Sequence, residues 1–382
     1  MTRRRSNLRV LFLGVALLVG AIVLLAREHG PSFLRFGLRL NAYVTTTDGN
    51  VTVVDLVRLR AVARVPVGPG LSGMREHPTR AEVWGVSSQD GYVWVLDARS
   101  NQLSGRISVG PRPYTLDFSA DGSRAYTTSS GSDALLAIDC RTHAFVARAH
   151  TGREPVLARV TPDGKTILVL NRGDASLGIH DAATLAQRAS VPVVSQPEEV
   201  VIMPDSSVAF VLSRSEPRLS VVDLRRGVLL ANLQLAGKPS DMLLKPDGGE
   251  LYVISPDSHG LQAINTWTHE VGDYVLLGYS PTRGILSADA SLLYITDASA
   301  GRVTAVDIYN RRVIRTSSGH ELLISVGQGP AAVRFDPAEN LLLVVNHDSG
   351  DLAVIRARID DQSLLTMIPV GEKPQDLAVK LF

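Results

Sequence analysis

Residues that could carry chemistry are scattered along this chain and form no recognisable catalytic motif. The nine histidines include no close H-x-H or H-E-x-x-H pair, so a metal site would have to assemble from distant segments. The single cysteine, Cys140, excludes an intrachain disulfide and a paired-cysteine zinc site. The serine-hydrolase pattern G-x-S-x-G does not occur. The sequence therefore predicts no catalytic residue, no metal ligand and no cofactor.

The elements that must position any functional side chains come from an internal repeat of 42 residues. Prolines keep this step from Pro113 to Pro281, and aspartates keep it from Asp121 to Asp289. Each unit holds four short runs rich in Val, Leu, Ile and Tyr, bounded by turn residues, which is typical of strands. A third series, each member closing a short apolar run, comprises Asp55, Asp97, Asp139, Asp181, Asp223, Asn265 and Asp307. We expect this third series to make similar hydrogen bonds within turns.

Four strands per unit of about 40 residues indicate the blades of a β-propeller, so the predicted fold class is all-β. The second strands begin near Ala42, Glu82, Arg124, Thr166, Val208, Glu250, Leu292 and Leu341, which gives eight blades. A seven-bladed ring with one decayed unit is the alternative. The first unit lacks an inner strand, whereas the chain ends in an unpartnered one from Asp376 to Phe382. We therefore predict that the C-terminal strand completes the first blade and closes the ring.

One irregularity interrupts the repeat. The step from Gly278 to Gly327 is 49 residues, so seven residues are inserted between Asn310 and Ser325. Long loops on a rigid scaffold often carry function. An outer hairpin without a role explains the insertion equally well.

Several repeat units carry a family resemblance. Ala42-Tyr-Val-Thr-Thr46, Leu251-Tyr-Val-Ile254 and Thr161-Pro-Asp-Gly164 resemble the YVTN-type β-propeller repeat of surface-layer-associated and YncE-like exported bacterial propellers. The resemblance covers about residues 41–382 and implies the fold. Members of that family are mostly exported, and many have no assigned activity. Lactonase, quinoprotein and haem-d1 propellers are architecturally similar, so the resemblance does not choose between binding and catalysis.

The N-terminal segment predicts a membrane anchor. Residues 1–9 form a basic, cytoplasmic N-terminus, and residues 10–26 are an unbroken run of 17 apolar or small residues, nearly long enough to span a bilayer. Residues 27–40 are a linker, and residues 41–382 are the propeller domain. Because arginines favour the cytoplasmic side, we predict a single-pass protein of the bacterial cytoplasmic membrane with its propeller in the periplasm or outside the cell. A cleaved signal peptide is the alternative.

The charge balance argues against nucleic-acid binding. Beyond residue 29 the chain carries 34 basic and 37 acidic side chains. Binding to phosphates without sequence preference requires a basic surface. We therefore expect no nucleic-acid partner.

The candidate binding residues lie on one face of the predicted ring. In four-stranded blades, the loops that lead into each first strand and the loops between second and third strands share a face around the central channel. The polar and aromatic candidates there are Arg112, Tyr114, Arg153, Arg172, Glu199, Arg214, Asp241, His259, Arg283, His347 and Asp376. A few placed polar groups can orient a ligand. The leading hypothesis is a non-enzymatic module that binds a protein, peptide or envelope glycan. The alternative is an exported hydrolase or lactonase with a metal-assisted site in the channel.

Overall fold

The computed structural model describes residues 39–278, 280–315, 318–357 and 362–382. The predicted anchor at residues 10–26 and nearly all of the linker lie outside the described residues. Within those residues, no helix is long and apolar enough to cross a membrane. The 33 named elements are all β-strands, and the compact unit that they build runs from Leu40 to Leu381.

The strands form eight antiparallel sheets, numbered here as blades 1 to 8. Blade 1 contains β1 (Leu40–Thr46), β2 (Asn50–Asp55), β3 (Arg60–Pro66) and the last strand, β33 (Pro374–Leu381). Blade 2 contains β4 (Leu71–Glu76), β5 (Glu82–Ser87), β6 (Tyr92–Asp97) and β7 (Gln102–Ser108). Blade 3 contains β8 (Pro113–Phe118), β9 (Arg124–Ser129), β10 (Ala134–Asp139) and β11 (Ala144–His150). Blade 4 contains β12 (Pro155–Val160), β13 (Thr166–Asn171), β14 (Ser176–Asp181) and β15 (Gln187–Pro192).

The second half of the ring repeats this plan. Blade 5 contains β16 (Glu199–Ile202), β17 (Val208–Leu212), β18 (Arg218–Asp223) and β19 (Val228–Gln234). Blade 6 contains β20 (Asp241–Leu244), β21 (Glu250–Ser255), β22 (Gly260–Asn265) and β23 (Val271–Leu276). Blade 7 contains β24 (Pro281–Leu286), β25 (Leu292–Asp297), β26 (Arg302–Asp307), β27 (Arg312–Val313) and β28 (Leu323–Ser325). Blade 8 contains β29 (Pro330–Phe335), β30 (Leu341–Asn346), β31 (Asp351–Arg356) and β32 (Leu364–Pro369).

The ring closes as the sequence predicts. Strand β33 pairs antiparallel with β1, from Leu40 opposite Leu381 to Thr46 opposite Pro374, and so provides the inner strand of blade 1. The first strands of neighbouring blades contact one another, as β4 does with β8 and β29 with β33, which makes them the inner strands around the channel. The structure confirms eight blades, so the seven-bladed alternative was wrong.

The core lies between the blades. The second and third strands are buried on both faces, which explains their continuous apolar runs such as Ile167 to Leu170 in β13. Leu116 and Leu136 of blade 3 pack against Trp84 and Val95 of blade 2 in one buried cluster. Fourth strands are largely exposed and alternate in burial, as in β7. Each blade therefore buries its faces only against its neighbours, which is why closure matters for stability.

The recurring aspartates after the third strands stabilise turns, as predicted. The Oδ1 atom of Asp139 accepts hydrogen bonds from the backbone N–H groups of Arg141 and Thr142, at 3.0 and 2.7 Å. The bond from the Thr142 N–H is the main cause that lowers the pKa of Asp139. Asp181 and Asn265 bond to the equivalent turns. These residues define the blade geometry and are not binding-site candidates.

The inserted residues lie on the outside of blade 7. Strands β27 and β28 pair with opposite ends of the same strand, β26, and an isolated bridge joins Arg315 to Glu321 between them. The described residues on either side of positions 316 and 317 therefore pair with each other and interrupt the outermost strand. This location agrees with the interpretation of an outer hairpin and places the insertion away from the channel.

Candidate functional site

The two sets of loops share one face, as predicted. Arg214, in the loop between β17 and β18, contacts the carboxylate of Glu198, which precedes β16, at 2.7 Å. Arg172, in the loop between β13 and β14, reaches the same carboxylate at 3.5 Å. These contacts join loops between second and third strands to a loop that leads into an inner strand, so the two kinds of loop lie on the same side of the ring. We call this side the upper face.

A cavity of about 380 Å³ occupies the centre of the ring. Its wall consists of inner-strand residues, and two sets of equivalent positions dominate it. The upper ring, nearer the upper face, comprises Gly73, Thr115, Leu157, Glu199, Asp241, Arg283, Ala332 and Asp376, all of which line the cavity. The lower ring lies two residues further along each inner strand and comprises Arg75, Asp117, Arg159, Val201, Leu243, Ile285, Arg334 and Ala378. From the lower ring, Arg75, Arg159 and Arg334 line the cavity.

The upper ring has more carboxylates than cationic groups. Glu199, Asp241 and Asp376 face one guanidinium from the same ring, that of Arg283, whose Nη1 lies 3.8 Å from Oδ1 of Asp241. Arg214 enters from the loop above, with Nη2 at 3.3 Å from Oε2 of Glu199. Arg214 and Arg283 also donate to the carbonyl oxygen of Ser240, at 3.0 and 3.2 Å. The upper ring is therefore a dense, mixed-charge network, in which the charges of Arg214, Arg283 and Arg334 all act on Glu199 and Asp241.

Two upper-ring carboxylates also join neighbouring blades. Oδ2 of Asp241 accepts the backbone N–H of Gly284 on the next inner strand at 2.9 Å. Oδ2 of Asp376 accepts the N–H of Met74 at 3.1 Å in the same way. In the lower ring, Oδ2 of Asp117 accepts the N–H of Val160 at 2.9 Å. These three aspartates thus have a structural role in addition to their charge.

The carboxyl groups of Glu199 and Asp241 are strongly perturbed. Burial raises the pKa of Glu199 to about 8, and repulsion from the Asp241 carboxylate adds to that effect. Burial also raises the pKa of Asp241, although Arg283 and the Gly284 N–H oppose it. The Glu199 side chain is 25% exposed to solvent because it faces the cavity. Near neutral pH, Glu199 therefore holds its proton unless a cation approaches.

Glu199→Gln is expected to stabilise the protein as pH rises. Because the pKa of Glu199 is raised from 4.5 to about 8 on folding, the native state binds the extra proton, and the wild type loses stability across that window. The amide cannot ionise, so the variant should gain on the order of 1–3 kcal/mol at pH 8 and little at pH 4. Denaturant unfolding at both pH values measures the difference. Glu372→Gln, the same change at an exposed position, is the control; equal pH profiles for both variants would contradict the expectation.

The lower ring is basic. Arg75 and Arg159 share one carboxylate, that of Asp117, at 3.5 and 3.9 Å. Arg334 has no carboxylate within 4 Å among the described residues, and its Nη1 donates only to the neighbouring Val333 carbonyl oxygen, at 3.0 Å. Arg75 and Arg159 therefore share one carboxylate at this level of the channel, and Arg334 acts at longer range on Glu199 and Asp241, where its charge opposes the rise of their pKa values.

Five of the eleven predicted binding residues line the central cavity: Glu199, Arg214, Asp241, Arg283 and Asp376. Three others, Arg112, Tyr114 and Arg172, line a separate pocket of about 420 Å³ on the upper face, where the Arg172 guanidinium lies 5.8 Å from the Tyr114 ring centre. Arg153 pairs with Asp174 at 2.5 Å on the exposed rim. Nδ1 of His347 lies 3.1 Å from the Pro374 carbonyl oxygen, and His259 belongs to the turn between β21 and β22. Neither histidine is part of the cavity wall.

Sequence reasoning missed the lower-ring arginines. The signal was present, because Arg75, Asp117 and Arg159 follow one another at the repeat step of 42 residues. They also stand two residues after upper-ring positions, and alternate residues of a strand share a face. Within the described residues, no group of three His, Cys, Asp or Glu side chains is arranged to hold a metal ion.

Together, the fold and the cavity define an eight-bladed β-propeller with a charged central channel. A family model, described as the YNCE-like β-propeller, matches residues 83–293, which is more than half of the chain. The protein therefore belongs to the YNCE-like β-propeller family. No curated protein sequence matches the chain.

Solved structures of other propellers are similar in fold. Dihydro-heme d1 dehydrogenase NirN, in complex with DHE, is 18% identical with a TM-score of 0.74, over 88% of this chain and 74% of that one. Hydrazine synthase from Kuenenia stuttgartiensis is 20% identical with a TM-score of 0.60, over 76% and 97%. A functionally unknown protein from Desulfotomaculum acetoxidans DSM 771 is 15% identical with a TM-score of 0.58, over 77% and 97%. At these identities the similarity shows the fold alone.

Proposed function

We propose that this protein is a binding module whose central cavity takes up an anionic group of a small ligand or of a peptide end. The observation that carries the proposal is the cavity wall, in which three lower-ring arginines, Arg75, Arg159 and Arg334, line the cavity. Arg75 and Arg159 share the carboxylate of Asp117, and Arg334 has no carboxylate within 4 Å among the described residues. A guanidinium confined among protein atoms is costly without an anionic partner. A carboxylate or phosphate oxyanion can fill that place by charge-assisted, bidentate hydrogen bonds.

The cavity has the dimensions and chemistry of a ligand site. Its volume of about 380 Å³ falls within the usual range for small-molecule pockets. Apolar lining residues such as Leu157, Val333 and Leu377 alternate with the charged ones, so a ligand would meet both kinds of surface. Among the partners predicted from sequence, a peptide offers an anionic group small enough to enter the channel.

The cellular setting is part of the same proposal. The apolar segment at residues 10–26 and the arginines before it support an anchor in the cytoplasmic membrane, with the propeller outside the cytoplasm. The hydrolase or lactonase alternative has no comparable support, since no group of three His, Cys, Asp or Glu side chains among the described residues is arranged to hold a metal ion.

Arg334→Gln tests the proposed site. Inorganic phosphate is the probe, and its dissociation constant is measured by calorimetry and by its effect on the thermal midpoint. Removing a charged donor without a carboxylate partner should weaken phosphate binding at least tenfold, as expected for a hydrogen bond to a charged group.

Arg60→Gln provides the matched control, because Arg60 is exposed on the outer strand of blade 1. It should bind phosphate like the wild type. Equal phosphate affinity in all three proteins, or no phosphate binding by the wild type, would refute the proposed site.

A further inference from the structure

We propose that the pocket of about 420 Å³ on the upper face is a second binding site, which takes the ring of a neutral sugar, either as a free saccharide or as part of a glycan. The pocket is separate from the central cavity, because the two have no lining residue in common. The inference therefore does not depend on the proposed function of the central cavity.

Three neighbouring blades form this pocket. Gln89 belongs to the loop between β5 and β6 in blade 2, and Tyr114 belongs to the inner strand β8 of blade 3. Arg172 comes from the loop between β13 and β14 in blade 4, and its backbone N–H donates to the Glu154 carbonyl oxygen at 3.0 Å. The pocket is thus built from loops that the rigid ring holds together.

Tyr114 is the feature that points to a ligand. It directly precedes the upper-ring residue of its inner strand, and it stays 42% exposed. The equivalent residues of the other seven blades are not aromatic: Ser72, Val156, Glu198, Ser240, Thr282, Ala331 and Gln375. Because those blades fold without an aromatic ring there, the fold does not require the Tyr114 ring. An exposed aromatic side chain in a pocket is typical of ligand sites.

The ring of Tyr114 is held in position before any ligand binds. The Arg172 guanidinium lies 5.8 Å from the ring centre, as in a cation–π contact. The same guanidinium contacts the Glu198 carboxylate at 3.5 Å, and Arg214 fixes that carboxylate from the other side at 2.7 Å. A surface fixed in this way loses little conformational freedom on binding, which favours affinity.

The polar groups of the pocket fit a ligand with many hydroxyl groups. Arg112 provides N–H donors, the Glu154 carboxylate provides acceptors, and the Gln89 amide provides both. A hydroxyl group can donate to the carboxylate and accept from the guanidinium or the amide.

The charges in the pocket do not require an ionised ligand. Three charged residues line it, namely Arg112, Glu154 and Arg172. Arg172 already has a carboxylate partner in Glu198. Arg112 and Glu154 then contribute one charge of each sign, so a neutral polar ligand suffices.

A pyranose ring has both surfaces that this pocket offers a partner for. Its axial C–H groups form a flat, weakly positive face, which can stack on the negative face of the Tyr114 ring. Its equatorial hydroxyl groups point outward, towards polar residues around the tyrosine. A purely apolar ring would gain the stacking without these hydrogen bonds.

Three saccharide probes test the site. Methyl β-D-glucopyranoside carries one ring, cellotetraose carries a chain of rings, and sorbitol carries hydroxyl groups on an open chain without the ring face. Calorimetry on the full-length protein gives each dissociation constant. We expect the glucoside to bind about tenfold more tightly than sorbitol, as stacking on one aromatic ring allows. Tighter binding of cellotetraose than of the glucoside would assign the site to a glycan, and equal affinities would assign it to a free saccharide.

Two variants at position 114 isolate the stacking surface. Tyr114→Ser introduces the residue that stands at the equivalent positions Ser72 and Ser240, so the backbone accepts it. It should weaken glucoside binding about tenfold, whereas Tyr114→Phe, which keeps the ring, should bind nearly as the wild type does. Tyr309→Ser is the matched control, because it removes a tyrosine that is 91% exposed in a turn of blade 7.

The outcomes separate this inference from the proposed function. Unchanged glucoside affinity in Tyr114→Ser, or equal wild-type affinities for the glucoside and sorbitol, would refute the sugar site. Saturating phosphate and Arg334→Gln should leave glucoside binding unchanged, and a loss of glucoside binding in either case would contradict a separate site. If phosphate binding does not depend on Arg334 while glucoside binding depends on Tyr114, only the proposed function fails.

Discussion

Truncation before Pro374 is expected to abolish the cooperative unfolding transition of the propeller. The lost strand, β33, pairs with β1 along its whole length and is the inner strand of blade 1. Leu377 and Val379 from β33 pack in one buried cluster with Ala42, Val54 and Leu352. Their loss would open that core and expose an unpaired strand edge at the channel. The stabilisation removed would approach the whole net stability of a typical domain, about 5–15 kcal/mol.

Circular dichroism and denaturant unfolding measure this effect, and a relocated strand is the matched control. Leu381 lies opposite Leu40, so the end of β33 is adjacent to the start of β1. Moving residues 374–382 to a position just before Leu40, joined by an Asp-Gly turn, would restore the strand order of the other blades. The relocated strand should recover cooperative unfolding. A truncated chain that unfolds like the wild type would show that closure does not stabilise the ring.

Asp241→Ala is expected to destabilise the protein by about 3 kcal/mol. Asp241 is only 8% exposed, and its side chain accepts the Gly284 N–H of the next blade at 2.9 Å. The substitution leaves that N–H group without its acceptor and removes the carboxylate next to the Arg283 guanidinium, which keeps only its bond to the Ser240 carbonyl oxygen. Both losses fall at the contact between blades 6 and 7, so the effect should exceed that of an ordinary surface change.

Asp289→Ala is the comparison for this measurement. Asp289 is exposed, and its Oδ1 atom accepts the Ser291 N–H at 3.0 Å within one turn. Because water can replace that bond, its loss should cost only about 1 kcal/mol. Urea unfolding of both variants at pH 7 gives the two free energies. Equal destabilisation would mean that Asp241 does not join the blades.

The fold was predictable because one repeat fixes every blade. Turn residues such as Asp139 recur every 42 residues, as do the apolar strands that they end. The hydrophobic pattern and the turn residues therefore predict the same strand boundaries. The closing strand was predictable because the first repeat unit lacks an inner strand and the last unit is followed by an extra one. An unpaired edge on the inner side of a blade would be unfavourable. The membrane anchor lies outside the described residues and stays a prediction.

The candidate site was only partly predictable, since the search followed loops rather than strand faces. Glu199 and Asp241 were found because they stand at the start of an inner strand, where loop and strand overlap. Arg334 was missed because it lies deeper on β29, and the seven-residue insertion shifts it out of the repeat step. His259 was chosen for its residue type, yet its place in a turn gives it no access to the cavity wall.

Equivalent positions in the two rings carry different side chains on nearly the same backbone. Leu157 and Arg283 correspond in the upper ring, and Val201 and Leu243 correspond to Arg334 in the lower one. The eight blades thus place different residues at equivalent backbone positions of one molecule. A residue that occurs at a given position in one blade is therefore compatible with the backbone at the equivalent position of another blade. Substitutions of this kind can change ligand preference while the propeller fold is retained. The exceptions are positions such as Asp241, whose side chain binds the backbone of the next blade.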